Sequence, residues 1–437
     1  MNSRTRPWRI LTFGVILAGY GCASLAPASL GPADIPALEE RAAREPEDGE
    51  AQLRLGIALA AAGRCGEATE AAERGRALEP GDPVGPLVIG QCLEEAGDFE
   101  AAVGLYAQFL QEHGDSPGVA AVEGRRVIAL QQQARVQARL AVEREEVLGP
   151  ADPQTVGVFP FIVDGDSAYH PLSVGLAHML TTDLALLRRF SLVERVEINA
   201  LLQELDVPTE LIDPATAARA GRLMGASRMI MGTVSVPPGR DIQLGGNIVL
   251  GTGELVEPLT MGGDLRDLLS LEKEYALRIA ENLGYQLSEA ERQRVLENQP
   301  GSLAAFLAFS RGILSEERGD FGSAAVHFQD AVRADPQYGE ARERFRSAIG
   351  ADALSEAGPG GVGAAISRVD QSLGAPTELV SSSNALASSM YDVASHQLER
   401  ATIGVGGANV SLDVLPDASQ VLASLEAIIS ILIRIRG

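Results

Sequence analysis

Side chains that could perform catalysis are few in this sequence and are scattered along it. Ser167, His170 and Asp183 come nearest to a hydrolytic triad, but nearness along the chain does not provide the geometry that a triad needs. His170 and His178 are eight residues apart, which on a helix is about 12 Å and too far for one metal ion. No G-x-x-x-x-G-K-[ST] phosphate-binding sequence occurs. We therefore expect no catalytic residue, no metal site and no cofactor, and we predict that the protein is not an enzyme.

One cysteine near the amino terminus predicts a specific modification. Three arginines in the first nine residues precede an apolar run from Ile10 to Ala18, which is typical of a signal peptide and shorter than the roughly 20 residues of a transmembrane helix. The run continues into Leu17-Ala-Gly-Tyr-Gly-Cys22, which is similar to a bacterial lipobox. We predict removal of residues 1–21, lipidation of Cys22 and, because Ala23 rather than Asp follows, an outer-membrane anchor facing the periplasm. The alternative is ordinary cleavage near Ala23, which would give a soluble exported protein.

Composition sets further limits. The chain has 437 residues and a formal net charge of −23, which argues against nucleic acid as a partner. Lys273 is the only lysine, and with Ala and Gly so abundant we attribute this preference for arginine to codon bias rather than to chemistry. Aromatic residues make up 4% of the chain, so the core must consist mainly of Leu, Val, Ile and Ala.

After a short linker, residues 22–34, the chain repeats itself with a period of 34 residues. The repeating pairs are Pro46 and Pro80, Gly56 and Gly90, Gly63 and Gly97, and Ala68 and Ala102. This period, with Leu55 before Gly56 and with Tyr106 in the second repeat, is similar to the tetratricopeptide (TPR) pattern. In that pattern Gly or Ala occupies the contact between two helices and Pro begins the next helix. We predict a TPR-like α-helical solenoid over residues 35–147.

The same positions recur once more after the central part of the chain. They are Gly312, Ala324, Phe328, Ala331 and Pro336. Because Gly312 lies 222 residues beyond Gly90, which is not a multiple of 34, we predict a separate TPR unit over residues 300–350. One repeat cannot bury its own apolar face, so this unit should pack on the central domain or on the tail.

Two further cysteines, Cys65 and Cys92, lie in the first array toward the same end of adjacent predicted helices. In the oxidising compartment that an exported protein enters, the pair can form a disulfide. The alternative is two small buried thiols. The sequence leaves both open.

Between the two arrays, residues 152–290 predict a sheet covered by helices, in the order β-α-β-α-α-β-β-β-α. The strand-like runs are 155–163, 190–193, 227–236, 242–250 and 254–261, and the helical runs are 171–187, a stretch through 201–205, 214–224 and 265–287. The fold class that we predict is therefore α+β and multidomain, with a central α/β sandwich-like domain.

Five motifs in this central stretch resemble those of one envelope-protein domain. They are Val158-Phe-Pro-Phe161, Pro171-Leu-Ser-Val-Gly-Leu176, Phe190-Ser-Leu-Val-Glu-Arg195, Ala220-Gly-Arg-Leu-Met-Gly-Ala226 and Met229-Ile-Met-Gly-Thr-Val234. In this order they are similar to the domain shared by curli-type secretion lipoproteins, the CsgG family, and by TolB amino-terminal-like domains. The resemblance covers the central domain alone. It implies a non-enzymatic role and supplies no active-site residues.

The last segment, residues 351–437, differs from the rest. Gly358-Pro-Gly-Gly-Val-Gly363 predicts a flexible joint. Asp417 can cap a last helix in a helical C-terminal tail, with an apolar stripe that contains Leu422, Leu425, Ile429 and Leu432 at heptad spacing. We favour docking of this helix on the chain's own repeats, and the alternative is a helix for partner binding or self-association.

These features together predict a lipid-anchored envelope protein in which TPR arrays flank a curli-type domain. We expect a non-enzymatic adaptor that binds other envelope proteins or peptides through its TPR surfaces during envelope assembly or secretion. The alternative is a subunit of a homo-oligomeric curli-type secretion channel, although residues 241–261 supply at best one membrane-crossing hairpin. Particle size separates the two, because a ring of many copies favours the channel.

Overall fold

The computed structural model describes residues 29–239, 241–256 and 258–374. The predicted signal peptide, Cys22 and the predicted C-terminal helix lie outside these residues. Within them the protein is a mixed α/β structure with fifteen α-helices and one six-stranded mixed sheet. The described residues belong to one compact unit, which ends at Gly374.

Six helices form the amino-terminal part. They are α1 (Ile35–Arg44), α2 (Gly49–Ala61), α3 (Cys65–Leu78), α4 (Val84–Glu95), α5 (Phe99–His113) and α6 (Val119–Glu143). Asp48 and Asp98 cap α2 and α5, because their side chains accept hydrogen bonds from backbone amides in the first turn. Gly63 and Gly97 adopt left-handed conformations (φ 71° and 81°) just after α2 and α4, where a residue without Cβ ends a helix at little cost.

Small residues lie where these helices touch. Gly56 lies against Ala68 and Ala72, and Gly90 faces the ring of Tyr106 so closely that a Cβ there would overlap the ring. The 34-residue period therefore corresponds to two successive helix pairs, α2–α3 and α4–α5. The assignment of these pairs as tetratricopeptide repeats stays a prediction.

The central segment contains the sheet. Its strands are β1 (Asp152–Val158), β2 (Ile162–Gly165), β3 (Ser191–Leu192), β4 (Ala226–Val236), β5 (Asp241–Leu250) and β6 (Leu259–Asp264). The order across the sheet is β3-β1-β4-β5-β6, and β2 also pairs with β4. β1 runs parallel to β3 and β4, and β2 runs parallel to β4, whereas β5 is antiparallel to both β4 and β6.

Helices cover both faces of this sheet. They are α7 (Leu172–Leu186), α8 (Arg195–Glu204), α9 (Pro214–Leu223), α10 (Leu268–Asn282) and α11 (Glu289–Glu297). Alternate residues of each strand face opposite layers. Ile230 belongs to the core under α7 and α10, and its neighbour Met229 belongs to the core under α8 and α9. The second core also takes Ala134 and Ala138 of α6, so the last helix of the first array serves as part of the domain's outer layer.

The order of elements in this segment matches the expected one, but several bounds differ for identifiable reasons. The predicted strand 155–163 is interrupted because Pro160 has no amide hydrogen and the Phe161 amide donates to the Ser173 carbonyl of α7 instead (2.9 Å). The last strand begins at Leu259, after Pro258, rather than at residue 254. The predicted helix 265–287 ends at Asn282, and Gly284 (φ 92°) follows in a turn.

Four helices complete the described chain: α12 (Leu303–Glu317), α13 (Phe321–Ala334), α14 (Gly339–Ala357) and α15 (Val362–Gly374). Helix α12 packs on α7, and α14 packs along α6. The contact of α12 with α7 is the predicted packing of the second unit on the central domain, whereas the contact of α14 with α6 of the first array was not predicted. Gly124 of α6 and Gly350 of α14 allow the contact, since a Cβ on either one would overlap the backbone of the other helix.

The glycine-rich segment 358–363 is packed rather than free. It forms a short 3-10 turn, Pro359–Gly361, before α15 begins. The Leu30 amide donates to the Gly360 carbonyl (3.0 Å), and Gly361 is buried. The prediction of a flexible joint is wrong for this segment, because its glycines permit close packing of the backbone.

Candidate functional site

A cleft of about 750 Å³ lies where α6, α7, α8, α12 and α14 meet. Each part of the described chain contributes a wall: α6 comes from the first array, α7 and α8 from the sheet domain, and α12 and α14 from the second array. We call it the junction cleft. Residues that line it include Arg126, Leu130, His178, Val193, Ile313 and Arg344.

Ion pairs between distant parts of the sequence surround the junction cleft. His178 Nε2 lies 2.6 Å from Glu340 Oε1, and Arg344 Nη1 lies 2.6 Å from Glu316 Oε1. The remaining pairs join Arg195 to Glu317, and Arg346 to Glu123 at 2.9 Å. All except Arg344–Glu316 cross between segments of different origin, so the pairs help to fix the relative positions of the arrays and the sheet domain.

Burial and these partners set the charge states in the cleft. Burial would raise the pKa of Glu340, but the hydrogen bond from His178, the charge of this imidazole once acid protonates it, and Arg344 together lower that pKa to about 2. Burial lowers the pKa of His178 despite the hydrogen bond to Glu340, and a neutral imidazole can still donate its Nε2 proton to that carboxylate. Burial raises the pKa of Glu316, opposed by Arg344.

Two polar atoms in the junction cleft are buried without a hydrogen-bond partner among the described residues. They are Glu123 Oε2 and Arg126 Nε. Both side chains lie on α6 one helical turn apart, and both line the cleft. Two residues that line the cleft thus hold an unused acceptor and an unused cationic donor, which a ligand with both kinds of group can satisfy when these side chains turn toward it.

A second, shallower cavity of about 520 Å³ adjoins the junction cleft and shares Asn199 and Glu317 with it. Phe161, His170 and Gln203 also line it. It lies at the Pro160 interruption between β1 and β2, beside the start of α7. Polar and apolar residues contribute to its lining in about equal parts.

A buried cluster of charged residues lies under α7 and α10. Lys273 is 1% exposed, and its Nζ lies 2.6 Å from Asp183 Oδ2, while Asn298 donates to Asp183 Oδ1 at 3.0 Å. Glu272 Oε2 also lies 3.3 Å from Lys273 Nζ. Burial, reinforced by the charge of Asp183, raises the pKa of Glu272 well above its ordinary value, and burial raises the pKa of Asp183 as well. Two buried carboxylates thus share one buried cation.

Comparison with known proteins identifies the sheet domain. Residues 150–254 match the family model of CsgG, the curli production assembly/transport component. The match runs from β1 through β5. Strand β6 and helix α10 lie beyond the matched residues and continue the same sheet and core.

Two further comparisons add little to that result. Solved structures that match include the LpoB C-terminal domain from Salmonella enterica, with 17% sequence identity and a TM-score of 0.22 over 29% of this chain and 95% of that chain. A TM-score of that size supports no conclusion about this protein. None of the curated proteins matches the chain.

The residues of the suggested triad are not brought together. Asp183 is buried in the CsgG-like domain with Lys273 and Asn298 as partners, whereas Ser167 and His170 lie in an exposed turn before α7. The sequence Gly114-Asp-Ser-Pro-Gly118 has the G-x-S-x-G spacing of serine hydrolases. It joins helices α5 and α6, however, and the nucleophile turn of those enzymes follows a strand.

The predicted repeat positions lie mostly inside the helical arrays. The buried ones are Leu55, Gly56, Ala68, Gly90, Ala102, Tyr106, Gly312, Ala324, Phe328 and Ala331. Pro80 and Pro336 are exposed in the turns before α4 and α14. Gly312 faces the Phe328 ring as Gly90 faces Tyr106. These residues act in helix packing, and the residues of the junction cleft are different ones.

Cys65 at the start of α3 and Cys92 near the end of α4 are paired as a disulfide, with their Cα atoms 5.4 Å apart. In the part of the chain that the structure covers, no three His, Cys, Asp or Glu side chains are placed to share a metal ion. Among the same residues, none of the helices combines the length and the apolar character that crossing a bilayer requires.

The buried Lys273–Asp183 cluster and Arg126 of the junction cleft were not found from the sequence. Codon bias accounts for the preference for arginine but not for the one lysine, and a lone lysine within the apolar pattern of α10 is a signal of a buried charge. Asp183 interrupts the apolar stripe of α7 and offers the matching signal. Arg126 has no comparable signal, because α6 carries several Arg and Gln residues and nothing in the sequence shows which of them other helices cover.

Proposed function

We propose that this protein is a non-enzymatic adaptor of the bacterial envelope, anchored to the outer membrane through Cys22 and facing the periplasm. It binds other envelope proteins or peptides through the surfaces of its helical arrays during assembly or secretion. The observation that carries the proposal is the CsgG-family match over residues 150–254, since that family is described as a curli production assembly/transport component. The lipobox-like sequence that ends at Cys22 supports the anchor.

The position of the CsgG-like domain supports an adaptor role. Helices that precede and follow this domain in the sequence pack against it. Helix α6, which precedes it, covers one face of the sheet, and helix α12, which follows it, packs on α7. Stacked helix pairs present extended surfaces that commonly bind peptides or partner domains. A protein built this way can hold one partner on the arrays while the domain contacts another.

Membrane fractionation tests the anchor. Wild type and Cys22→Ser are separated into soluble and outer-membrane fractions, and the mature amino terminus is identified by mass spectrometry. We expect an acylated Cys22 in the outer-membrane fraction for wild type, and a soluble or unprocessed Cys22→Ser variant. A mature wild-type protein that begins at another residue and is soluble would refute the anchored adaptor.

Native mass measurement of the detergent-extracted protein tests the second candidate function, a channel subunit. The description of CsgG as a transport component favours considering it. A ring of many identical copies would favour the channel function over the adaptor function. A monomer, or a complex with a different protein, supports the adaptor.

A further inference from the structure

We propose that the junction cleft binds an extended segment of a partner protein that presents a carboxylate next to aliphatic side chains, and that Arg126 holds the carboxylate. This inference rests on the proposed adaptor function and names the surface and the chemistry of its partner. Nothing in the CsgG-like domain alone forms this site, because α6 and α14 supply much of its lining.

The walls of the cleft suit aliphatic side chains. Aliphatic residues from α6, α7, β3, α8 and α12 line it: Val127, Leu130, Ala185, Leu192, Val196 and Ile313. Its volume of about 750 Å³ lies in the range of sites that enclose ligands, roughly 300–1,000 Å³. Burial of apolar surface supplies affinity, and the few polar groups among these walls fix the orientation of what is bound.

Arg126 differs from the other arginines of the cleft. Each of the others has a carboxylate partner: Arg195 pairs with Glu317, Arg344 with Glu316 and Arg346 with Glu123. Arg126 has none among the described residues, and its Nε is buried. Holding a buried donor without an acceptor costs free energy that an incoming carboxylate would recover.

The neighbouring acceptor favours a peptide over a simple anion. Glu123 Oε2 is buried without a donor one helical turn from Arg126, a separation of about 5–6 Å between Cβ atoms. A peptide carries amide N–H groups and a carboxylate at comparable spacing, so one ligand can satisfy both atoms. Ligands rich in phosphate fit less well than a single carboxylate, because Glu194 and Glu343 also line the cleft and repel a ligand more strongly the more negative charge it carries.

The probe is a pool of synthetic hexapeptides with Leu fixed at positions four and six, a free terminal carboxylate and a fluorophore at the amino end. Its twin is amidated at the carboxyl terminus. Both are titrated against the full chain in detergent by fluorescence anisotropy. We expect saturable binding of the free-acid pool and a loss of about 10- to 100-fold in affinity for the amidated pool, the size of one charge-assisted hydrogen bond.

Three variants locate the effect. The Arg126→Gln variant should bind the free-acid peptides with an affinity lower by the same 10- to 100-fold, and it should bind the free-acid and amidated peptides equally. Arg126→Lys should recover part of the binding, because it keeps the charge. Arg135→Gln is the matched control, since Arg135 is an exposed arginine on the same helix, and it should bind as wild type does. Equal thermal midpoints for all variants exclude unfolding as the cause.

Several results would overturn the proposal. They are no saturable binding to wild type, equal binding of both pools, or Arg126→Gln binding as tightly as Arg135→Gln. Displacement of the peptide by acetate at equal concentration would reduce the site to a small-anion site. A protein that is acylated and held in a complex with another envelope protein, yet fails these titrations, retains the adaptor function and loses only this binding site.

Discussion

The contact between α6 and α14 allows a quantitative prediction about the stability of a glycine variant. A Cβ added at Gly124 would lie 2.7 Å from the Ser347 carbonyl oxygen and closer still to the backbone of Gly350 and Ala351. Cβ atoms essentially never approach within 3.0 Å of another heavy atom, and the obstructing atoms belong to a helix backbone that cannot rotate away. The Gly124→Ala substitution must therefore move the two helices apart, by a distance on the order of 1 Å.

Two opposing terms set the size of the effect. Overpacking of a well-packed contact costs about 1–3 kcal/mol. Alanine is also a better helix former than glycine by about 1 kcal/mol, which offsets part of that cost. Because the overlap is with helix backbone, the cost should lie in the upper part of that range, about 2–3 kcal/mol, and subtracting about 1 kcal/mol leaves a loss of about 1–2 kcal/mol in the free energy of unfolding for Gly124→Ala.

Gly104→Ala is the matched control. Gly104 lies inside α5 and is exposed, and an added Cβ there has no heavy atom within 4 Å. Only the propensity term remains, so Gly104→Ala should raise the free energy of unfolding by about 0.5–1 kcal/mol. Urea unfolding followed by circular dichroism compares the midpoints, and intrinsic tyrosine fluorescence checks that the transitions coincide.

The two substitutions should thus move the midpoint in opposite directions. If Gly124→Ala were as stable as Gly104→Ala, the close approach of α6 and α14 would not exist in solution. The walls of the junction cleft would then have to be placed differently.

Three further predictions concern buried groups. Lys273 should resist acylation by an N-hydroxysuccinimide ester in the folded protein and should react after denaturation, which peptide mass spectrometry detects. The Lys273→Met substitution should lower the free energy of unfolding by about 3–5 kcal/mol, because it leaves Asp183 buried without its cation. The Cys65–Cys92 disulfide, which links residues 27 apart in the sequence, should contribute about 3.5 kcal/mol to the free energy of unfolding. Neither cysteine should be alkylated until a reductant is added. The pKa of Glu340 is lowered from 4.5 to about 2, so its contribution to stability is present above about pH 4.5 and is lost as the pH falls toward 2. In an acid titration followed by circular dichroism, the Glu340→Gln variant should therefore lose less stability than wild type over this pH range.

The local character of most elements could be predicted from the sequence. The helix pairs of the first array follow from a 34-residue period of Gly, Ala and Pro, which are residues whose conformational limits act on their immediate neighbours. The order of strands and helices in the CsgG-like domain follows from apolar periodicity in the same way. The CsgG-family match over residues 150–254 agrees with the resemblance drawn from the motifs around Val158–Phe161 and Ala220–Ala226.

The contacts between elements could not be predicted in this way. Gly124 and Gly350 lie outside the repeat period, and each is informative only once the other helix is seen against it. Asp183, the partner of Lys273, comes from α7, and Asn298, which donates to Asp183, follows α11, so these residues are distant in the chain. The glycines of residues 358–363 suggested freedom, whereas the structure uses them for close packing against Leu30.

The sequence by itself thus determined which segments are helices and strands, because backbone preference and apolar period act over a few residues. Tertiary structure alone decided that the two arrays meet, that one arginine of α6 is enclosed without a carboxylate, and that the single lysine is buried beside Asp183. These depend on the packing of residues far apart in the chain, and the burial that perturbs a charge or isolates a hydrogen-bond donor exists only after that packing.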